Sequence, residues 1–376
     1  GERDIYSGYI REQYEASKDL LIHAEAQFVY HKYGINNETF GGEYTSYQST
    51  DGIVSGEGDL FDVNYFFINP RLGANYNINE NMNTYLSLAY TSREPRMSNL
   101  YNASEGWTGA EPLFAITDTT GGRTVYDLSD PIVKPEKMFN VELGYSYTDT
   151  RYHLNLNMYW MEYFDELVKS GQLDIFGAPI DGNAPRTRHY GVELTGKAIF
   201  LNSSKYGKFD VRGNFTYSKN SIIEYDFVTS LGEMVSLEGN KIAGFPEMMG
   251  NLRASYEIGG LFVSIAMQYV GEFRTDNFGD MLTTDQRVID HLKGWQDPET
   301  QGFPYTEYYT DNVVDPYTVF NGDISYTFRD FMTLRTLKIH AQVYNLFNKL
   351  YAASDSGREF FPGGERNVFI GLELGI

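Results

Sequence analysis

The chain has 376 residues, a formal net charge of −21 and no cysteine. Its acidic balance argues against a nucleic-acid partner, which would favour a basic surface. No apolar run approaches the roughly eighteen residues of a transmembrane helix. Yet aromatic residues make up 16% of a chain whose mean hydropathy is −0.41. A transmembrane β-barrel combines these properties, because only alternate strand residues face lipid and aromatic residues gather at the two interfaces.

Alternating apolar and polar side chains predict strands from the start of the chain. The first two strands are expected over residues 4–14 and 18–33, followed by a long polar stretch to about Asp62. A hairpin with its turn at residues 77–83 comes next, and a second long loop covers residues 96–135. Alternation with period two is the pattern of a strand with two different faces.

The next hairpin shows the alternation most clearly. Residues 139–147 and 152–158 flank a predicted turn at Asp149–Thr150, and the second strand alternates Leu154, Leu156 and Met158 with His153, Asn155 and Asn157. These polar side chains would be costly to bury in a protein core without partners, but they cost little beside a wet lumen. A soluble antiparallel sheet with one wet face would show the same alternation.

The pattern continues to the C-terminus. Further turns are predicted at residues 203–205, at Gly259–Gly260 and near Asp330, and the final strand covers residues 367–376. Leu156, Ile265 and Ile339 lie centrally in their strands and are expected to face lipid.

About thirteen strands are predicted, joined alternately by tight turns and long loops. Short periplasmic turns and long external loops are the pattern of outer-membrane barrels. An odd number of strands leaves the first and last parallel, whereas bacterial single-chain barrels use even numbers. The predicted fold is therefore an all-β transmembrane antiparallel barrel, of which residues 1–376 form the C-terminal portion. The external loops are expected at residues 35–61, 96–135, 170–184, 224–245, 276–314 and 347–366.

Several motifs resemble TonB-dependent outer-membrane receptors, especially those of the Bacteroidetes type. The C-terminal block Asn345-Leu-Phe-Asn-Lys-Leu-Tyr351 and the stretch Phe361-Pro-Gly-Gly-Glu-Arg-Asn-Val-Phe-Ile-Gly-Leu372 carry the resemblance most strongly. Supporting segments at matching spacing are residues 69–76, 92–96, 135–144, 159–168 and 188–194. The resemblance implies a 22-stranded barrel around a plug, which a periplasmic energy-transducing protein pulls to admit a ligand. The plug is absent from this chain, and Ile376 stands where the family usually ends in an aromatic residue.

No constellation of catalytic residues stands out, so an enzyme is not expected. The six histidines are scattered over residues 23 to 340, whereas a hydrolase would need a nucleophile and a base converging on one rim. Asp276, Asp280, Asp285 and Asp290 resemble a calcium loop only faintly and lack EF-hand spacing. A solvated acidic loop is favoured there, and neither a metal site nor a cofactor is predicted.

Two external loops are the candidate ligand-binding segments. Aromatic side chains on an external loop are costly to expose unless they pack or bind a ligand, and arginine can clamp a carboxylate or phosphate. Packing of the loops over the barrel mouth is an equally strong interpretation, and both can hold together. The candidate ligand-binding residues are Arg93, Arg96, Trp107, Trp295, Tyr305, Tyr308 and Tyr309.

The function expected from the resemblance is import of a scarce nutrient across the bacterial outer membrane, powered through TonB. The nutrient would be a siderophore or other metal chelate, haem or a cobalamin-like compound. The alternatives are a glycan importer, which a surface lipoprotein would accompany, and a passive porin or structural barrel subunit of an envelope complex. The expected partners are outer-membrane lipid and lipopolysaccharide, a TonB-type transducer acting through the missing plug, and the nutrient itself.

Overall fold

A computed structural model of the protein describes residues 1–35, 38–40, 47–49, 52–54, 56–58, 61–101, 112–118, 125–173, 179–229, 231–295, 312–331, 334–356 and 359–375. Within these ranges, no helix is both long and apolar enough to cross a membrane.

Thirteen strands form one antiparallel sheet, which confirms the predicted number. Each strand pairs with its sequence neighbours, so the spatial order follows the chain. The strands are β1 Glu2–Glu15, β2 Leu20–Ile35, β3 Phe61–Asn77, β4 Met82–Arg93, β5 Glu136–Thr148, β6 Tyr152–Leu173, β7 Pro179–Ser203, β8 Gly207–Glu224, β9 Met248–Ile258, β10 Leu261–Val270, β11 Tyr317–Phe331, β12 Leu334–Tyr344 and β13 Asn367–Gly375.

The two faces of the sheet differ in chemistry, as the alternation predicted. The outer face is the one that carries Leu154, Leu156 and Met158, and the inner face carries His153, Asn155 and Asn157. Ile265 and Ile339 on the outer face are 44% and 42% exposed, whereas Ser264, next to Ile265 on the inner face, is 4% exposed. Outer-face residues pair with one another across the sheet, for example Tyr145 with Leu156 and Leu156 with Leu194. The result is a continuous apolar surface of the kind that faces lipid.

Short turns join the strands at one end of the sheet. The turn between β5 and β6 is held by the Asp149 carboxylate, which accepts hydrogen bonds from the backbone N–H groups of Arg151 and Tyr152, both at 2.6 Å. The Tyr147 hydroxyl, which donates to the other Asp149 oxygen at 2.7 Å, and these two backbone bonds lower the pKa of Asp149. All long connections lie at the opposite end, which is the external end in an outer-membrane barrel.

Several inner-face side chains lie across a glycine of the neighbouring strand. The Tyr85 ring covers Gly144, where an added Cβ would lie 2.0 Å from Cε1 of the ring. The Tyr85 hydroxyl then reaches Asn157 on β6, donating a 3.0 Å hydrogen bond. Only glycine leaves room for this ring, which therefore ties three strands together.

One predicted external loop is shorter than expected. The sequence predicts a loop at residues 170–184, but in the structure β6 and β7 continue as a hairpin as far as the pair Leu173 and Pro179. Packing explains the extension, because Val168 and Ala184 in this hairpin are buried in a cluster that the external connections complete.

The external connections fold onto the barrel wall through three hydrophobic clusters, of which two are large. In the first, Leu100, Tyr101, Phe114 and Tyr126 pack against the ends of β2 and β3. In the second, residues of the connections before β9 and before β11 pack on the β6–β7 hairpin and on Ile222 of β8. Tyr101, Phe114 and Tyr126 belong to the predicted ligand-binding loop, and for these three side chains the loop-packing interpretation is confirmed.

The connection between β10 and β11 contains helical structure that alternation could not predict. Helix α1 covers Met281–Thr284 and helix α2 covers Gln286–Trp295. Val288, His291 and Leu292 have helical spacing and are buried, with the His291 ring 5.1 Å from that of Phe227. Asp285 precedes α2 and accepts from the backbone N–H of Arg287 at 3.0 Å, as an N-cap residue does. The ion pair of Asp285 with Arg287 lowers the pKa of the carboxyl.

Short secondary-structure elements complete the described parts of the connections. A 3₁₀ turn covers Met97–Asn99. The paired short strands are Glu38–Phe40 with Gly56–Gly58, Tyr47–Ser49 with Gly52–Val54 and with Val125–Pro131, Val125–Pro131 with Phe114–Asp118, Asp226–Val228 with Met234–Ser236, Phe273–Arg274 with Val313–Val314, and Ala352–Ser356 with Glu359–Pro362.

The sheet ends at β1 and β13, each of which has a strand partner on one side only. Every residue of β1 is exposed. With an odd number of antiparallel strands, β1 and β13 run in the same direction. The described residues therefore form a barrel wall with two unpaired edges.

Candidate functional site

The inner face at the external end of β4–β8 carries a chain of buried polar side chains. We call this set the mouth network and define it as Arg93, Glu136, Tyr163, Glu166, Thr187, His189, Ser218 and Asn220. Strand parity places all members except Glu166 on the inner side of the sheet. Glu166 has the parity of the outer face, but it follows Asp165, whose φ of 54° interrupts the regular strand, and its carboxylate contacts Thr187 and His189 on the inner side. The external connections bury most of the members, so they meet in a sheltered environment rather than in open solvent.

Arg93 stands at one end of the mouth network. Its Nη2 lies 3.0 Å from Glu136 Oε1, and its side chain remains 58% exposed while that of Glu136 is 11% exposed. The second Glu136 oxygen accepts a 3.3 Å hydrogen bond from the backbone N–H of Leu167. A buried carboxylate thus fixes an exposed guanidinium, which keeps further N–H groups for a ligand.

His189 lies at the centre of the contacts at the other end of the mouth network. One ring nitrogen lies 2.8 Å from Asn220 Oδ1 and the other lies 3.1 Å from Glu166 Oε2. The Glu166 oxygen also accepts a hydrogen bond from the Thr187 hydroxyl, and Asn220 donates to Ser218 Oγ at 3.1 Å. The rings of Tyr163 and Phe245 contact the imidazole edge-on at 5.1 and 5.4 Å. Packing on both sides holds the imidazole in one orientation.

A second polar group adjoins the mouth network through Glu94, which follows Arg93 in the chain. Glu94 is buried, forms an ion pair with Arg3 and accepts a 3.1 Å hydrogen bond from the Tyr33 hydroxyl. His31 Nδ1 lies 3.3 Å from the same carboxylate without hydrogen-bond geometry. The Arg3 guanidinium lies over the Tyr33 ring, 5.3 Å from its centre, and is 47% exposed.

Two of the candidate residues predicted from the sequence, Arg93 and Arg96, lie at this mouth. Arg93 is engaged as described, and Arg96 is exposed at the start of the 3₁₀ turn, where its backbone N–H donates to Asn99 Oδ1 at 3.1 Å. Trp295 ends α2, but its side chain is not among the described parts of the chain. Trp107, Tyr305, Tyr308 and Tyr309 lie outside the described residues.

The mouth network itself was not foreseen. Its members are spread over residues 93–220, and nothing in the sequence spacing brings Glu136, Glu166 and His189 together. Strand parity was the available signal for Glu136 and His189, because it places both on the polar face. It gave no signal for Glu166, which has the parity of the outer face and turns inward after the positive φ of Asp165. The register that brings them to the same height became visible only in the folded sheet.

The acidic segment at residues 276–290 makes protein contacts instead of a cation site. Asp276 Oδ1 accepts from the backbone N–H of Phe278 at 2.9 Å and from Asn312 Nδ2 at 3.0 Å, and Asp280 pairs with Arg274 at 2.9 Å. Among the residues that the structure describes, no three His, Asp or Glu side chains are grouped to hold a metal ion.

A cavity of about 810 Å³ lies on the outer face toward the short-turn end, away from the mouth. Gly196, Gly213 and Gly250 form its floor and Tyr152, Phe200 and Leu252 are among its walls. Because this surface faces lipid, the cavity suits hydrocarbon chains and does not lie on the path of a polar ligand.

Comparisons with known proteins agree with this architecture. Residues 1–346 match the family described as TonB dependent receptor-like, beta-barrel. The chain is similar in structure to the ferric-catecholate import receptor Fiu from E. coli K12, with a TM-score of 0.60 and 18% identity. It is also similar to the siderophore receptor PiuA from Acinetobacter baumannii (TM-score 0.65, 13% identity) and to the ferric yersiniabactin uptake receptor FyuA from Yersinia pestis (0.59, 16%).

The three similarities cover 98% of this chain but only 44%, 43% and 45% of Fiu, PiuA and FyuA respectively. The chain therefore spans less than half the length of these structures. No curated protein sequence matches it.

Proposed function

The chain belongs to the family of TonB-dependent receptor β-barrels, and from that premise we propose that it acts in the import of a scarce nutrient across the outer membrane. The family and the apolar outer face place the protein in the bacterial outer membrane. We further propose that the nutrient is an anionic metal chelate such as a siderophore complex or haem, with a cobalamin-like compound as the remaining possibility among metal-containing nutrients.

One observation carries the choice of ligand class. Three exposed arginines, Arg3, Arg93 and Arg96, lie at the external mouth, and two of them are anchored on the buried carboxylates of Glu94 and Glu136. Guanidinium groups held in this way bind carboxylate, catecholate or phosphate oxygens through paired hydrogen bonds. In a chain with a net charge of −21, arginines concentrated at the entrance would provide local attraction for an anion. The three similar proteins named above are a ferric-catecholate import receptor, a siderophore receptor and a ferric yersiniabactin uptake receptor, which supports the same class.

Active transport requires partners that are not part of this sheet. The two unpaired edges at β1 and β13 need further strands, since lipid cannot satisfy exposed backbone groups. We propose that nine more strands complete a barrel of about 22, as energised transporters have. A plug inside it would engage a TonB-type energy transducer. Lipopolysaccharide and other outer-membrane lipids would surround the outer face.

Glycan import by the same class of barrel is the second candidate. It would rely on Trp107, Trp295, Tyr305, Tyr308 and Tyr309 stacking on sugar rings, with a surface lipoprotein closing the mouth. A passive porin or structural subunit is a third candidate, and the buried mouth network counts against an open pore there.

Uptake measurements on the intact protein in cells would decide between these candidates. Cells would be starved for iron and supplied with a radiolabelled ferric catecholate, or given a labelled oligosaccharide, with and without a protonophore. We expect energy-dependent uptake of the iron complex. Glutamine at Arg3, Arg93 and Arg96 together should raise the half-saturating concentration by about tenfold or more, as expected for loss of charged hydrogen bonds.

Arg151→Gln in the short turn is the matched control and should leave uptake unchanged. Uptake of the oligosaccharide alone would replace the metal-chelate proposal with glycan import. Equal uptake with the protonophore present would instead identify a passive pore.

A further inference from the structure

The outer face carries a basic cluster at the level where the apolar surface ends toward the external side. On β6, the outer-face residues from Tyr152 to Trp160 are all apolar or aromatic. Eight residue steps at about 3.3 Å, tilted by about 40°, span roughly 20 Å, which is close to the height of a barrel's lipid-facing band. Trp160 is 41% exposed and its ring stacks on that of Tyr190 at 5.3 Å, as in an interfacial aromatic girdle. The next outer-face position beyond this girdle is Glu162.

Glu162 is clamped by two arginines of β7. Arg188 binds it through Nε at 2.8 Å and Nη2 at 3.1 Å, and Arg186 binds it through Nε at 2.5 Å. The Glu162 carboxylate is 9% exposed, whereas the side chains of Arg186 and Arg188 are 42% and 28% exposed. The arginines therefore bury the acid beneath them and present their remaining N–H groups outward.

The surroundings fix this arrangement and add a third cation. The Arg188 guanidinium lies 4.6 Å above the Trp160 ring, a cation–π contact that orients its plane. Lys219 on β8 pairs in register with Tyr190 and is exposed, and the described residues record no ion pair for it. Glu224 lies opposite Arg186 in the register, again without an ion pair. Arg186 and Arg188 thus share the buried Glu162 carboxylate at the boundary of the lipid band, and Lys219 adds a third cation on the neighbouring strand.

We propose that Arg186, Arg188 and Lys219 form a binding site for the phosphate of a phosphorylated glycolipid in the outer leaflet. The position selects a lipid, because acyl chains would lie along the apolar surface below while the headgroup meets the cations. The cations favour a phosphate, because the N–H groups of an arginine can form two parallel hydrogen bonds with phosphate oxygens and the lysine ammonium adds a compact positive charge. The nearby Trp160 and Tyr190 rings can lie against the sugar of such a headgroup. The proposal depends on the outer-membrane location and not on nutrient import, so its failure would leave the proposed transport function untouched.

The test uses the intact protein purified in detergent and stripped of native lipid. Diphosphoryl lipid A is added as the probe, and its occupancy is measured by native mass spectrometry. The comparison probes are lipid A with both phosphates removed, which has the same acyl chains, and phosphatidylglycerol. We expect wild-type protein to retain diphosphoryl lipid A at least tenfold better than either comparison lipid, and inorganic pyrophosphate at equal concentration should not displace it.

The variant R186Q/R188Q/K219Q should lose this preference by about tenfold. The matched control R151Q/K205Q removes two cations at the opposite end and should retain it. Heat-modifiable migration on gels shows whether each variant is folded. If the triple variant does not fold, the comparison of probes on wild-type protein decides alone.

Equal retention of the dephosphorylated lipid, or unchanged retention by a folded triple variant, would overturn the proposal. Equal binding of phosphatidylglycerol would show only a general attraction for anionic lipid and would also overturn it. Displacement by pyrophosphate would reassign the cluster to a soluble anion.

Discussion

Placing an arginine at Leu156 should destabilise the barrel by a predictable amount. Leu156 is the central outer-face residue of the run from Tyr152 to Trp160, so it lies roughly 10 Å from each aromatic end along the membrane normal. Its register neighbours Tyr145 and Leu194 carry no carboxylate that could neutralise an arginine. A charge at this depth of a barrel's lipid face costs about 2–4 kcal/mol. That cost lowers the folding equilibrium constant by about 30- to 1,000-fold.

The matched control is Asn155→Arg, one residue away on the inner face. Asn155 lies between Ser146 and Thr195, two small polar side chains that leave an arginine in the wet interior. The free energy of unfolding would be measured by urea titration of the intact protein in lipid vesicles, with heat-modifiable migration reporting the folded barrel. We expect L156R to lose at least about 2 kcal/mol more unfolding free energy than N155R, which is the lower end of the cost of a charge at this depth of the lipid face. Equal stability of the two variants would show that the inner and outer faces have been assigned wrongly.

Three further predictions test the wall, its edges and the external loops. Gly144→Ala should cost about 1–3 kcal/mol of unfolding free energy in the same urea titration, because the added Cβ would displace the Tyr85 ring. The control Gly8→Ala in β1 should change the unfolding free energy little, because no atom lies within 4 Å of the position of its Cβ. Cysteines placed at Gly8 and Ile370, in the two edge strands, should not form a disulfide under oxidation. Cysteines at the register partners Ile10 and Ala26 are the control and should form one. A disulfide between the edge strands would show that this sheet closes on itself. Alanine at Tyr305, Tyr308 and Tyr309 together should weaken ligand uptake while heat-modifiable migration stays normal, and normal uptake would leave these residues without a binding role.

Backbone periodicity made the wall predictable from sequence. Successive side chains of a strand point to opposite faces, so the alternation of Leu154, Leu156 and Met158 with polar residues is enough to assign both faces. Turn chemistry was equally local: Asp149 and the pair Gly259–Gly260 marked two turns that the structure contains. The number of strands and the end of the sheet that carries the long connections followed from these signals alone.

Contacts between distant segments of the chain decided the structural features that alternation and turn residues do not predict. The extension of β6 and β7 into the predicted loop depends on Val168 and Ala184 being covered by residues that lie far along the chain. Helix α2 is stabilised by the same cluster, and Tyr101 and Phe114 of the loop at residues 96–135 are packed against β2 and β3. The mouth network and the Arg186–Glu162–Arg188 clamp likewise need the inter-strand register, which sets the height of each residue relative to its neighbours. Alternation determines which face a side chain occupies in a regular strand, but only the folded sheet shows where the backbone interrupts that pattern, as at Asp165 before Glu166, and which side chains meet on each face.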